Sequence, residues 1–172
     1  MKKKLLAVTL LLTGLFIFTG CSKKENITIK DNILKYTTTF EYDKEDGFKF
    51  KKKVKGGRFS EIIFTNEKVN LEYDMYYSES TSISSDKIKT NRKKDKNYKE
   101  YKFGEYDAYT YGDYNNSLNL IITLKSDIKE KHNVELFVSI NKIKDTDDKK
   151  VSSIFKDKIN QDFFSSIKNT VD

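Results

Sequence analysis

One cysteine, Cys21, is all the thiol chemistry in this sequence of 172 residues. A single cysteine forms no internal disulfide and supplies no pair for a redox motif or a thiolate metal site. There is one histidine, His132, inside the polar stretch Lys129-Glu130-Lys131-His132-Asn133, which reads as surface loop. One histidine without a partner histidine or cysteine excludes the usual zinc ligand sets. No Gly-x-Ser-x-Gly elbow offers a serine nucleophile. The seven glycines gather only at Gly56-Gly57, so no glycine-rich loop is available to cradle phosphates. The acidic run Asp145-Thr146-Asp147-Asp148 invites a calcium reading, but an EF-hand counted from Asp145 would place Lys150 and Lys156 where Gly and Glu are required. A solvated turn ahead of a helix, with Asp favourable near its N-terminus, accounts for the run. Tryptophan and proline are absent altogether.

What is present begins with a targeting segment. Lys2, Lys3 and Lys4 precede an apolar run, Leu5 to Phe18, which ends at Phe18-Thr19-Gly20-Cys21. A basic start, a short apolar centre and small residues before a cut are the marks of a secretory signal. The run falls short of the roughly 20 residues that a membrane-spanning helix needs. The closing tetrad resembles the lipobox of bacterial lipoproteins, with Phe18 standing where Leu is usual. That resemblance implies cleavage between Gly20 and Cys21 and a diacylglyceryl group on the Cys21 thiol. It also implies a location on the outer face of the cell membrane. Two acyl chains anchor stably, at about 0.8 kcal/mol per buried methylene. Removing the three lysines of residues 1–20, which hold no acid, takes the formal charge from +7 to +4. That mild excess, on an exported chain, is no nucleic-acid footprint.

The sequence therefore divides into a signal peptide (1–20), a lipidated cysteine with a tether (21–32) and one domain (33–172). The tether reading rests on the polar character of Ser22 to Asn32, where only Ile27 and Ile29 are apolar. Beyond it the chain alternates with period two, the signature of half-buried strands. Tyr36, Thr38, Phe40 and Tyr42 share a face; Phe48 and Phe50 follow the turn at Glu45-Asp46-Gly47. Val69, Leu71, Tyr73, Met75 and Tyr77 form the longest alternating face. Leu118, Leu120, Ile122 and Leu124, then Val134, Leu136, Val138 and Ile140, repeat the pattern. Residues 80–97 break it, and read as either a loop or a short helix capped at Ser85-Asp86. At the end, Val151, Ile154, Phe155, Ile159, Phe163, Ile167 and Val171 recur at three- and four-residue spacing, predicting one amphipathic helix across the sheet. The expected class is α+β: an antiparallel sheet packed by a C-terminal helix.

Asp46-Gly47-Phe48-Lys49-Phe50, Lys102-Phe103-Gly104-Glu105 with Ala108-Tyr109, and Phe164-Ser165-Ser166-Ile167-Lys168 resemble segments of small clostridial-type lipoproteins with a PsbP-like or Mog1-like fold. Many members carry a proline after the Phe-x-Phe strand, which this chain lacks. The fold hosts unrelated functions and implies no activity or cofactor.

Two surface features remain. Lys49, Lys51, Lys53 and Lys55 alternate with Phe48, Phe50 and Val54, so a regular strand would put four lysines on one face. Such a stripe fits anionic lipid headgroups or wall polymers; it equally fits an edge strand guarded against aggregation. Tyr98, Tyr101, Tyr106, Tyr109, Tyr111 and Tyr114, with Tyr73, Tyr76 and Tyr77, read as half-buried sheet packing or as an aromatic surface that grips sugar or protein. The functional expectation is a membrane-anchored, non-enzymatic binding module for an envelope component or extracellular molecule, with a protein partner as one option. A wall-polymer enzyme or accessory and a protective, immunity-type lipoprotein stand as alternatives.

Overall fold

The computed structural model describes residues 24–31, 35–55, 60–112, 117–127, 132–145 and 148–171, and ten strands lie among them, most of them where the chain alternates with period two. Cys21 and Gly20 lie outside the described residues. β1 (Lys24–Asp31) and β2 (Tyr36–Asp43) pair antiparallel, and β10 (Lys168–Val171) pairs with the other edge of β2. The second sheet has seven strands: β3 (Phe48–Lys55), β4 (Ser60–Asn66), β5 (Leu71–Thr81), β6 (Lys99–Phe103), β7 (Tyr106–Tyr111), β8 (Ser117–Asp127) and β9 (His132–Lys142). Its order is β3-β4-β5-β9-β8-β7-β6, and every pairing in it is antiparallel. Two meanders, β3-β4-β5 and β6 to β9, thus meet edge to edge at β5 and β9. The architecture is mostly antiparallel β-sheet, with C-terminal helices packed on it.

One face of the large sheet, the small sheet and the C-terminal helices share a single core. Leu71, Tyr73, Met75 and Tyr77 point into it from β5, with Leu118, Leu120 and Ile122 from β8 and Leu136, Val138 and Ile140 from β9. The small sheet contributes Ile27, Ile29, Tyr36 and Phe40. The tether reading of residues 21–32 is therefore corrected over 24–31. Ile27 and Ile29 alternate with polar neighbours over too short a span to announce a strand, yet both are buried, Ile29 completely.

Buried polar groups fasten the layers. The Tyr77 hydroxyl lies 3.1 Å from the Ile29 carbonyl oxygen and 2.7 Å from Thr38 Oγ1, which in turn donates to Asn169 Oδ1 at 2.9 Å. This chain joins β5, β1, β2 and β10. Each member satisfies a group that would otherwise be buried at a cost.

The C-terminal stripe is core, as expected, but not one helix. α2 (Val151–Ile154) stops at Phe155, and α3 (Lys158–Ser165) restarts after Asp157, whose side chain caps it by accepting from the Ile159 amide at 2.9 Å. Val151, Phe155, Phe163, Phe164 and Ile167 are buried; Ile154 and Ile159 pack at the margin. Asn160, fully buried, accepts from the Tyr73 hydroxyl and donates to the Ile154 carbonyl oxygen, bridging α3, β5 and the end of α2. Val171 belongs to β10 rather than to a helix, because β2 offers an open edge there.

Residues 82–92 form α1 (Ser82–Arg92), so the 80–97 segment is largely helical. Ser85 and Asp86 fall inside it instead of capping it. It has no strong apolar stripe. It is held by cation–π contacts, Arg92 at 4.3 Å from the Tyr111 ring centre and Lys89 at 5.7 Å from Tyr109. Just beyond it, Asp95 accepts from the Gly112 amide. Beneath lies a second, smaller apolar cluster of Tyr109, Tyr111 and Ile121 on the outer face of the sheet.

Candidate functional site

The lysine strand is not a regular ladder. Lys49 sits opposite Thr65 and Phe50 opposite Phe64, but a bulge between Phe50 and Lys52 shifts the register. Beyond it Lys53 stands opposite Ile62 and Lys55 opposite Ser60. Residues directly opposite share a sheet face, and Thr65 and Ile62, three apart on β4, occupy opposite faces. The bulge adds one residue to β3 between Lys49 and Lys53, so the regular alternation on which a four-lysine face depends is interrupted in the backbone. The side chains of Lys53 and Lys55 lie outside the described residues. Lys49 pairs with Glu67 at 2.7 Å and Lys51 with Glu72 at 2.5 Å. Phe50, expected inside, is 56% exposed, because β3 is the edge strand and nothing described covers it there.

Lys51 and Glu72 belong to a charged band that runs across β3, β4 and β5. The register sets Ile63 opposite Asp74 and Glu61 opposite Tyr76, so Glu61 and Asp74 are diagonal neighbours. Their carboxyl groups are hydrogen-bonded. Burial pushes the Asp74 carboxyl up to about 6, helped by that hydrogen bond and by the charges of Glu61 and Glu72. Asp74 Oδ1 is buried without a hydrogen-bond partner among the described residues. Tyr76 beside the pair is also raised, first by burial and then by Asp74 and Glu61. Its ring packs on Phe137 at 4.9 Å. A carboxyl pair in direct contact can share a proton.

A third arrangement lies at the end of the domain where β4 turns into β5. The turn at residues 67–70 carries Asn70 in the left-handed region at φ 56°. Asn70 donates from Nδ2 to the Lys144 carbonyl oxygen at 2.7 Å and accepts from the Lys144 amide at 3.1 Å. The Ile143 amide adds a bond to the Asn70 carbonyl oxygen. These three bonds hold the turn against the segment after β9. Between this turn and the α2–α3 junction opens a cleft of about 450 Å³ lined by Lys68, Val69, Asn70, Lys149, Ser153, Ile154, Lys156 and Asp157. Three lysines face one carboxylate there, and that carboxylate also caps α3. Lys68, Lys149 and Lys156 are exposed. No linear pattern announces them, because turn and helix junction supply them from positions far apart in sequence.

The tyrosines are mainly packing. Tyr73 and Tyr77 are fully buried and Tyr109 and Tyr111 nearly so. The hydroxyls of Tyr73 and Tyr77 are raised well above the ordinary phenol range, by burial above all. Among the described residues no group of three or more His, Cys, Asp or Glu side chains could hold a metal ion. Asp145 is exposed near Lys142, at 3.8 Å; Thr146, Asp147 and the side chain of His132 lie outside the described residues. No helix described is long and apolar enough to cross a membrane. Compared with protein-family models, curated proteins and solved structures, the chain finds no significant match.

Proposed function

We propose that this chain is a membrane-anchored lipoprotein exposed outside the cell, whose domain is a non-enzymatic module that binds an anionic envelope component close to the bilayer. One observation carries the reading. The lipobox-like cysteine, Cys21, stands three residues before Lys24, the first residue of a strand that is part of the folded body. Three residues reach at most about 10 Å. Lipid on Cys21 would hold the start of β1 against the headgroup region, with no long tether to carry the domain away.

On that reading one end of the domain faces the membrane. Lys24 is paired with Asp43 across β1 and β2. Asp43 caps the 3-10 turn Lys44–Asp46, and the Gly47 carbonyl oxygen after it accepts from the Glu67 amide at 3.2 Å. The turn at residues 67–70, which lines the lysine cleft, is therefore at the anchor end. A PsbP-like or Mog1-like assignment for the fold belongs to the same proposal. The short motifs quoted above support it, as do the antiparallel sheet and the C-terminal helices packed on it.

The test of the anchor is Cys21→Ala with labelled fatty acid and membrane fractionation. Loss of lipid label and retention of the uncleaved precursor are expected. Equal label on the variant and the parent would overturn the reading.

A further inference from the structure

Resting on the reading above, we propose that the cleft between the turn at residues 67–70 and the α2–α3 junction is a phosphate-recognising subsite. Lys68 and Lys156 supply the charge and Ser153 a hydroxyl donor, with Lys149 on the rim.

The argument starts from charge. Like charges gathered around one concavity repel, and an anion seated among them relieves the repulsion. Lys149 is engaged by an interaction of its own, so Lys68 and Lys156 set two ammonium groups against the one carboxylate of Asp157, an excess of one positive charge. Lys68 and Lys156 make no ion pair among the described residues, unlike Lys49 and Lys51 on the neighbouring strand. Asp157 accepts from the Ile159 amide, so its carboxylate is already engaged by α3. Ammonium groups act as compact point charges on flexible stems and bind phosphate without the fixed fork geometry of arginine. A neutral hydroxyl beside them adds a directional donor. The floor is rigid, because the Asn70–Lys144 bonds pin the turn, and Gly47 packs so closely behind it that a Cβ there would stand 2.8 Å from Lys68 Cγ.

The same end of the molecule is not uniformly basic, and this decides the form of the proposal. Near Lys24 a separate cleft of about 300 Å³ is lined by Glu41, Asp43, Asp46 and Asp162. A domain that merely adhered to anionic lipid through a basic surface would not set four carboxylates beside its own anchor. The positive charge is local, so recognition is of one phosphate group in one cleft. That phosphate belongs either to a lipid headgroup or to a free or polymer-borne phosphoester, which share the chemistry.

The experiment uses the mature lipidated protein in a phosphate-free non-ionic detergent. Inorganic phosphate and glycerol 3-phosphate are titrated in by calorimetry, against chloride at matched ionic strength. In a second arm the same protein is anchored in phosphatidylglycerol vesicles and glycerol 3-phosphate is titrated onto it at the same ionic strength. Saturable one-site binding is expected, weakened roughly fivefold by each of Lys68→Gln and Lys156→Gln and roughly thirtyfold by the pair. Lys49→Gln with Lys51→Gln should leave it unchanged. Ester binding that is weaker on the vesicles than in detergent, through Lys68 and Lys156, assigns the site to lipid headgroups as well; equal ester binding in both assigns it to free or polymer phosphate. Flat titrations, or losses that follow total charge equally in both double variants, would overturn the subsite. The anchor is read separately through lipid label on Cys21, so a failed titration leaves that assignment standing.

Discussion

Asp74→Asn should stabilise the domain at neutral pH and leave it unchanged in acid. In the folded chain the Asp74 carboxyl is pushed up to about 6 by burial, then by its hydrogen bond and repulsion with Glu61 and by Glu72. An unfolded Asp titrates near 3.9, so between about pH 4 and 6 the folded state binds more protons than the unfolded state. Stability contributed by this group therefore falls as pH rises through that window, and the penalty is complete above the folded value. A shift of about two units corresponds to about 3 kcal/mol at 1.36 kcal/mol per unit. Asp74 retains solvent contact, so the effective figure is about 1–2 kcal/mol. Asparagine cannot ionise, and its Nδ2 can donate to Glu61. The assay is urea unfolding of parent and variant from pH 4 to pH 8. The difference should be near zero at pH 4 and reach about 1–2 kcal/mol in favour of the variant above pH 7. Glu25, Glu41, Glu67 and Glu100, whose carboxyls are lowered by hydrogen bonds to Lys or Tyr partners, drive the opposite trend, but they are common to both proteins and cancel. A difference that does not vary with pH, or a variant less stable at pH 7, would refute the account of the pair.

Phe163 stacks on Phe48 at 4.3 Å and on Phe40 at 5.0 Å, so Phe163→Ala should cost about 3–5 kcal/mol in denaturant unfolding. Asn160→Ala should cost about 1–3 kcal/mol by stranding the buried Tyr73 hydroxyl. Adding Tyr73→Phe should then recover part of that loss, which a double-mutant cycle reads directly. Gly47→Ala forces a side chain into φ 87° and against Lys68, and should lower stability by about 1–2 kcal/mol in the same assay.

What was legible in sequence follows from the periods that burial imposes. Leu71 to Tyr77, Leu118 to Ile122 and Leu136 to Ile140 alternate because one face of each strand meets the core, and each was readable without its partners. Val151, Phe155, Phe163 and Ile167 were readable as core for the same reason. The break between α2 and α3 was not. Asp157 looks like any solvated acid until its carboxylate is seen capping the second helix, and Asn160 looks polar until Tyr73 and Ile154 satisfy it. β1 was hidden because two isoleucines are too few to make a pattern. The small sheet alone gives them something to pack against.

The lysine alternation shows the limit most directly. Period two predicts one face only while the ladder is regular, and a single bulge opposite β4 interrupts it. The Glu61–Asp74 contact and the cleft of Lys68, Lys149 and Lys156 are likewise products of tertiary structure. Antiparallel register makes diagonal neighbours of residues 61 and 74, and the packing of a turn against a helix junction gathers charges from positions 68 to 156. The targeting segment is the converse case. A basic start, an apolar run and a cysteine are read as a linear string, so the proposed anchor rests on residues 1–21 alone. Where that anchor would hold the domain, and which charges it would bring to the membrane, depend on strand pairing that no local pattern encodes.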